Sequence, residues 1–192
     1  MANRVSVVKD NVKQVFASIN ELVGKQVLVG IPADHAERKD DEGANNALIG
    51  YTMEFGSPAQ NIPARAHLIP GVQKAEPQAL RQMRAAASAT MDGDSKKADQ
   101  FLTGAGIIAS NEVRGMVNSN IQPPLSPKTI ANRWRQRNGV RGIKSRRESE
   151  QVYLGLVDKG VTPAAAQAET GIISLINTKE YRDSITFVVR KK

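Results

Sequence analysis

At 192 residues and 20.8 kDa, with 40% hydrophobic and 24% charged residues, the chain has room for one well-buried domain, or one domain with an arm, which excludes a large multidomain enzyme. It has no cysteine and two histidines, which removes disulfides, thiolate nucleophiles and Cys-based metal sites and leaves little for other metals or general bases. The net charge of +8 is local: Lys128, Arg133, Arg135, Arg137, Arg141, Lys144, Arg146 and Arg147 fall between Ser126 and Arg147 with no Asp or Glu among them, and they equal the whole excess of Lys and Arg (27) over Asp and Glu (19).

The N-terminus, Met-Ala-Asn-Arg-Val, lacks the apolar core of a signal peptide, and runs such as Ile172 to Ile176 fall far short of the roughly 18–20 apolar residues a membrane span requires. A soluble intracellular product is expected. Val5, Val8, Val12, Val15, Phe16, Ile19, Leu22 and Val23 recur at spacings of three and four, which predicts an amphipathic helix ended by Gly24. Gln26 to Ile31 is short and β-branched and is closed by Pro32, so it reads as a strand. The carboxylates of the next stretch, Asp34, Glu37, Asp40, Asp41 and Glu42, are interleaved with Arg38 and Lys39 and lack the turn glycine of an EF-hand, so Ala33 to Ala44 reads as a solvated loop. Asn45 caps a short helix that runs to Phe55 and is stopped by Gly56-Ser57-Pro58.

Prolines bracket Asn61 to Pro70 and predict an ordered, non-helical strap. Within it His67, between Ala66 and Leu68 and without an acidic neighbour in sequence, is expected as a packed or solvent-facing side chain rather than a ligand. Gly71 to Thr90 is helical in composition, provided Pro77 lies in the first turn, and Met91-Asp92-Gly93-Asp94 breaks it. A further helix spans Ser95 to Asn118. Its Gly104-Ala105-Gly106-Ile107-Ile108-Ala109 fits the letters of a dinucleotide loop, but no strand precedes it and the helical stripe runs through it, so small residues easing helix packing are expected.

Ser126 is the predicted N-cap, and Pro127 the first residue, of a helix that carries Trp134 and places Arg133 and Arg137 on one face. The basic block is either a solvated face or a contact for phosphates or an acidic protein surface. Glu148 to Lys159 is helical, and Thr162-Pro163 opens a short Ala-rich helix ending at Gly171. This pair is superficially like a helix-turn-helix, but Gln167 stands where that motif prefers a small residue, and Ile172 to Asn177 is apolar rather than basic. Ser184 to Arg190 alternates and reads as a C-terminal strand.

Several of these segments, taken together and in order, resemble the tailed-phage virion morphogenesis family of minor tail, tail-completion and head–tail joining proteins. The resemblance rests on the strand Val27 to Ile31, on Ile49 to Ser57 with its Glu54-Phe55-Gly56 helix end, and on Ile62 to Pro70 with Pro63, Arg65 and Pro70. In the second half it rests on Leu125 to Ile130 with Thr129, then Arg133, then Leu175 to Thr178, and Arg182 to Thr186 with Ser184. Three positions depart from the pattern: His67 replaces an aromatic residue, Asn177 an aspartate and Lys179 a glycine, while 144–171 looks like an insertion. The resemblance implies a structural, non-enzymatic part of the virion neck or tail, assembled in the host cytoplasm as a homo-oligomeric ring. It would contact connector and tail-tube proteins, and packaged DNA without sequence preference, with no cofactor and no membrane.

The expected fold is α+β: a small mixed or antiparallel β-sheet, including Gln26 to Ile31 and Ser184 to Arg190, packed against amphipathic helices, with a basic helical insertion near the C-terminus. Residues 1–125 and 172–192 would form the main domain and 126–171 the arm. The basic block would face a DNA channel or a neighbouring subunit. A small nucleic-acid-binding protein using 126–147 is the alternative.

Overall fold

The computed structural model describes residues 12–38, 44–136 and 144–192. The start of the first predicted helix, the loop carboxylates Asp40, Asp41 and Glu42, Arg137, Arg141 and the Lys144 side chain lie outside them. The described residues are mostly helical with one two-stranded sheet, in the order α1 (Val12–Val23), β1 (Lys25–Gly30), α2 (Asn46–Phe55), α3 (Leu68–Met91), α4 (Ser95–Asn118), α5 (Pro127–Gln136), α6 (Lys144–Asp158), α7 (Pro163–Thr170), α8 (Glu180–Ser184) and β2 (Thr186–Lys191).

A long antiparallel hairpin of α3 and α4 is the spine, and small residues make it possible. Gly71, Ala75, Ala86 and Ala89 of α3 are buried together with Ala98, Ala105, Gly106 and Ala109 of α4. A Cβ on Gly71 would stand 2.7 Å from the Val113 Cα, so the helix backbones meet there with no space for a methyl group. The Gly-Ala-Gly segment read as packing is packing. Gly104 faces the Gln82 side chain of α3, and Gly106 lies under the Phe187 ring, 2.1 Å from where a Cβ would be, which seats the sheet on α4.

That sheet pairs β1 with β2 antiparallel, from Lys25 opposite Lys191 to Gly30 opposite Thr186. It joins segments from the two ends of the described chain. Val113 and Val117 of α4 form the main core with Leu175, Tyr181 and Ile185, and Val29, Ile49, Met53 and Leu68 pack around it. A second cluster, Leu125, Ile130, Tyr153 and Ala166, is made by α5, α6, α7 and the segment before them.

Most element boundaries agree with the sequence reading to within a residue or two, and the exceptions are instructive. The proline strap ends at His67: Leu68, Ile69 and Pro70 form the first turn of α3, so Pro77 sits in its third turn rather than its first. The C-terminal strand begins at Thr186, because 180–184 folds into the short helix α8. No helix follows α7 at 172–177, so a helix-turn-helix is absent there. Only part of the α1 stripe turns inward, Val15 and Leu22 being half-buried. Its buried residue is Ser18, while Val12, Phe16, Ile19 and Val23 are 57%, 62%, 40% and 62% exposed.

Candidate functional site

Glu54, Arg65 and His67, from the stretches 49–57 and 62–70, converge with Tyr181 on one buried joint. The first four N–H groups of a helix have no partner within it, and at α3 all four are accounted for. The Glu54 carboxylate accepts from the backbone N–H groups of His67 (2.7 Å), Leu68 (2.8 Å) and Ile69 (3.0 Å), and Pro70 has no N–H to satisfy. Glu54 reaches this position because Gly56 turns the chain at φ 77°, so tightly that a Cβ would stand 2.8 Å from the Ala64 nitrogen. The Arg65 N–H donates back to the Met53 carbonyl at 2.6 Å, closing the loop between α2 and α3. This remote capping carboxylate is why the helix starts three residues before the sequence suggests.

Two further side chains tie the joint to the rest of the fold. The Arg65 guanidinium, buried, donates from Nε to the Pro123 carbonyl (2.8 Å) and from Nη2 to the Pro124 carbonyl (3.0 Å), which fixes the lead-in to α5. His67 is fully buried. Its Nδ1 faces the Arg65 carbonyl at 2.9 Å, an acceptor only, so Nδ1 carries the proton and Nε2 accepts from the Tyr181 hydroxyl. The two rings meet edge to face, with centroids 5.5 Å apart. Gly50 of α2 leaves room for that tyrosine, and Ser184 Oγ donates to the Tyr181 carbonyl at 2.7 Å.

A carboxylate, a histidine and a hydroxyl in sequence invite comparison with an acid–base relay, with Glu54 Oε2 3.3 Å from His67 Nδ1. Burial and hydrogen bonding argue against that use. Glu54, His67 and Tyr181 are 4%, 0% and 6% exposed, so the joint presents no face to a substrate. Burial pushes the Glu54 carboxyl up, but the three N–H donors together hold it below the usual carboxylate value. Burial lowers His67, and burial with the nearby Glu54 charge raises Tyr181. All three groups are held in one protonation state at neutral pH, anionic Glu54 with neutral His67 and Tyr181, and the joint is a structural clasp.

The remaining residues of the resemblance are placed as follows. Phe55 and Pro63 are exposed, Pro70 is half-buried and Thr178 is exposed. The Thr129 N–H is capped by Ser126 Oγ at 3.2 Å. Lys179, where the family pattern has glycine, lies at φ 70°, the left-handed region that glycine occupies without strain. Lys179→Gly is therefore expected to stabilise the fold by about 0.5–1 kcal/mol, read as a raised urea midpoint at unchanged slope.

The basic block divides. Lys128 and Arg135 are exposed on α5, and Arg135 donates to Asn132 Oδ1 of its own helix at 3.4 Å. Arg133 instead donates to the Ser174 and Ile176 carbonyls (3.3 and 3.5 Å), and Arg146 to the Asn177 carbonyl at 2.5 Å. Arg147 lies over the Trp134 ring, 4.8 Å from its centroid, and so joins α6 to α5. Arg133, Arg146, Lys179 and Arg182 border a cavity of about 310 Å³ floored by Ile172, Ile173 and Ile176, with Glu150 among them.

Sequence reasoning missed Tyr181, Gln167 and Asn120. Gln167, singled out only as a misfit to a helix-turn-helix, is a buried hub. Its Oε1 accepts from the Leu125 N–H at 2.8 Å, and its Nε2 donates to Ser174 Oγ at 2.7 Å and to Asn120 Oδ1. Asn120 had one available signal, an amide residue after a helix end, and it occupies the left-handed region at φ 56°.

Among the described residues no group of three or more His, Asp or Glu side chains could hold a metal ion, and no helix is long and apolar enough to cross a membrane. No family model matches the chain, and neither a curated protein nor a solved structure matches it at a significant level.

Proposed function

We propose that this chain is a structural, non-enzymatic subunit of a tailed-phage particle, completing the tail or joining head and tail at the neck as part of a homo-oligomeric ring. The observation that carries the reading is the clasp. Glu54 of 49–57 holds the backbone of 62–70, Arg65 holds the Pro123 and Pro124 carbonyls just before 125–133, and Arg133 holds the Ser174 and Ile176 carbonyls, so segments of the resemblance far apart in sequence are tied into one scaffold. Function then resides on the outer surfaces. Large apolar side chains are exposed on α1, α2 and α3, including Phe16, Tyr51, Phe55, Val72 and Met83, and contacts between subunits of a ring would cover such surfaces. In this reading 126–171 is a basic arm, the neighbours are connector and tail-tube proteins, and the site of action is the virion neck.

The competing reading is a small nucleic-acid-binding protein, favoured by the exposed Lys128 and Arg135. Arg133, Arg146 and Arg147, engaged within the fold, are less able to serve it. Light-scattering mass of the purified chain, from low to moderate salt and with or without non-specific duplex DNA, separates the two. A discrete species several times 20.8 kDa that ignores DNA is expected. Tight DNA binding by a monomer, weakening steeply with salt and lost on neutralising Lys128 and Arg135, would replace the structural reading.

A further inference from the structure

One cavity has no part in the scaffold described above, and its geometry points to a binding site for a small organic monoanion with an apolar tail, a medium-chain carboxylate. The inference goes beyond the ring reading and stands whether or not the chain self-associates.

The cavity, of about 310 Å³, lies where the first turns of α6 and the end of α7 meet the segment 172–179, and its size is at the lower end of the range of small-molecule sites. Its floor is apolar. The Ile176 N–H donates to the Ile173 carbonyl at 3.2 Å, a turn that gathers Ile172, Ile173 and Ile176 along the floor. Ile172 packs on the second apolar cluster and Ile176 on the main core, so the floor is backed by both.

The rim is cationic. Arg133 and Arg146 hold the same segment by its Ser174, Ile176 and Asn177 carbonyls, bonds that fix the guanidinium groups in place without neutralising them. Lys179 and Arg182 add two more positive charges. Against these four stand two carboxylates, Glu150 in the lining and Asp183, which accepts from Arg182 at 2.6 and 2.8 Å, so the rim keeps an excess of two positive charges. An oxyanion is the complement of such a rim, because guanidinium groups bind carboxylates and phosphates through paired N–H donors. Glu150, 2% exposed, decides between them: its buried charge opposes a second negative charge beside it, which favours a carboxylate over a phosphate dianion.

Lys179 supplies an independent sign. It is exposed, has no ion pair among the described residues, and sits at φ 70°, where glycine would be unstrained. Backbone strain of this kind collects at binding sites, where a side chain is kept for its charge at the expense of the local conformation.

Isothermal titration calorimetry of the full chain with sodium octanoate tests the site, compared with acetate, which lacks the tail, and 1-octanol, which lacks the charge. Octanoate is expected to bind once per chain and roughly tenfold more tightly than either. Lys179→Gly, which relieves the strain and so keeps the fold, is expected to weaken octanoate by about fivefold, while Lys179→Arg, which keeps the charge, retains the affinity. Leu80→Gln, at an exposed position in the separate groove along α3, is expected to leave it unchanged. No binding of octanoate, equal binding of octanoate and octanol, or an affinity indifferent to Lys179→Gly would each overturn the site. Tighter binding of octyl phosphate than of octanoate would overturn the monoanion assignment, and loss of binding in Leu80→Gln would place the tail on α3 instead.

Discussion

Glu54→Ala is expected to lower unfolding free energy by about 3–5 kcal/mol, a large share of the stability of a domain this size. The side chain is 4% exposed and satisfies three backbone N–H groups at the start of a 24-residue helix. Truncation leaves all three without an acceptor, the His67 N–H buried and the Leu68 and Ile69 N–H groups part-buried. Glu54→Gln keeps the size and one acceptor oxygen but presents an NH2 group to a donor, so about 2 kcal/mol is expected for it. Urea unfolding followed by far-ultraviolet circular dichroism measures both, and equal stability of wild type and Glu54→Ala would remove the clasp as the organiser of the fold.

The same joint sets an acid dependence whose sign follows from the shifts. His67 is depressed below its ordinary 6.5 chiefly by burial, so the neutral ring's contribution is complete above pH 6.5 and is lost as pH falls from there through the lowered value. Glu54 is below its ordinary 4.5 because the three N–H donors outweigh burial, so its contribution is complete above 4.5 and is lost at lower pH. Stability should therefore start to decline just under pH 6.5, before the carboxylate titrates. His67→Phe, which restores the aromatic residue of the family pattern, should abolish the upper part of that decline and leave the part below 4.5.

The second large effect is at the helix crossing, where one substitution has opposite signs at two glycines. Gly71→Ala is expected to cost about 1–3 kcal/mol, because the new methyl group would meet the Val113 backbone, which cannot rotate away. Gly115→Ala, in α4 with nothing within 4 Å of its Cβ position, should gain about 0.5–1 kcal/mol from helix propensity alone. Thermal or urea unfolding of the two variants compares them directly. Stabilisation by both would mean that propensity and not close approach governs these sites.

Local chemistry in the sequence determined much of this protein. The Asn45 cap, the Asp92-Gly93-Asp94 break, the Ser126-Pro127 and Thr162-Pro163 starts and the Gly171 stop all act within one helical turn, so they read correctly from neighbours alone. The small residues at 104–106 were likewise legible as packing, because an unbroken stripe is a local property. What the tertiary structure decided are the relations between residues distant in the chain. His67 has no acidic neighbour in sequence, yet Glu54, thirteen residues earlier, and Tyr181, 114 residues later, close around it. The same carboxylate moved the start of α3, and the Arg133, Arg146 and Arg147 charges, which a sequence counts as one block, were divided by which of them found a carbonyl or a ring to rest on. Periodicity fixed that α1 has an apolar stripe. Which way the stripe faces depends on what the other helices leave open, and here Phe16, Ile19 and Val23 stay exposed while Val15 and Leu22 are half-buried.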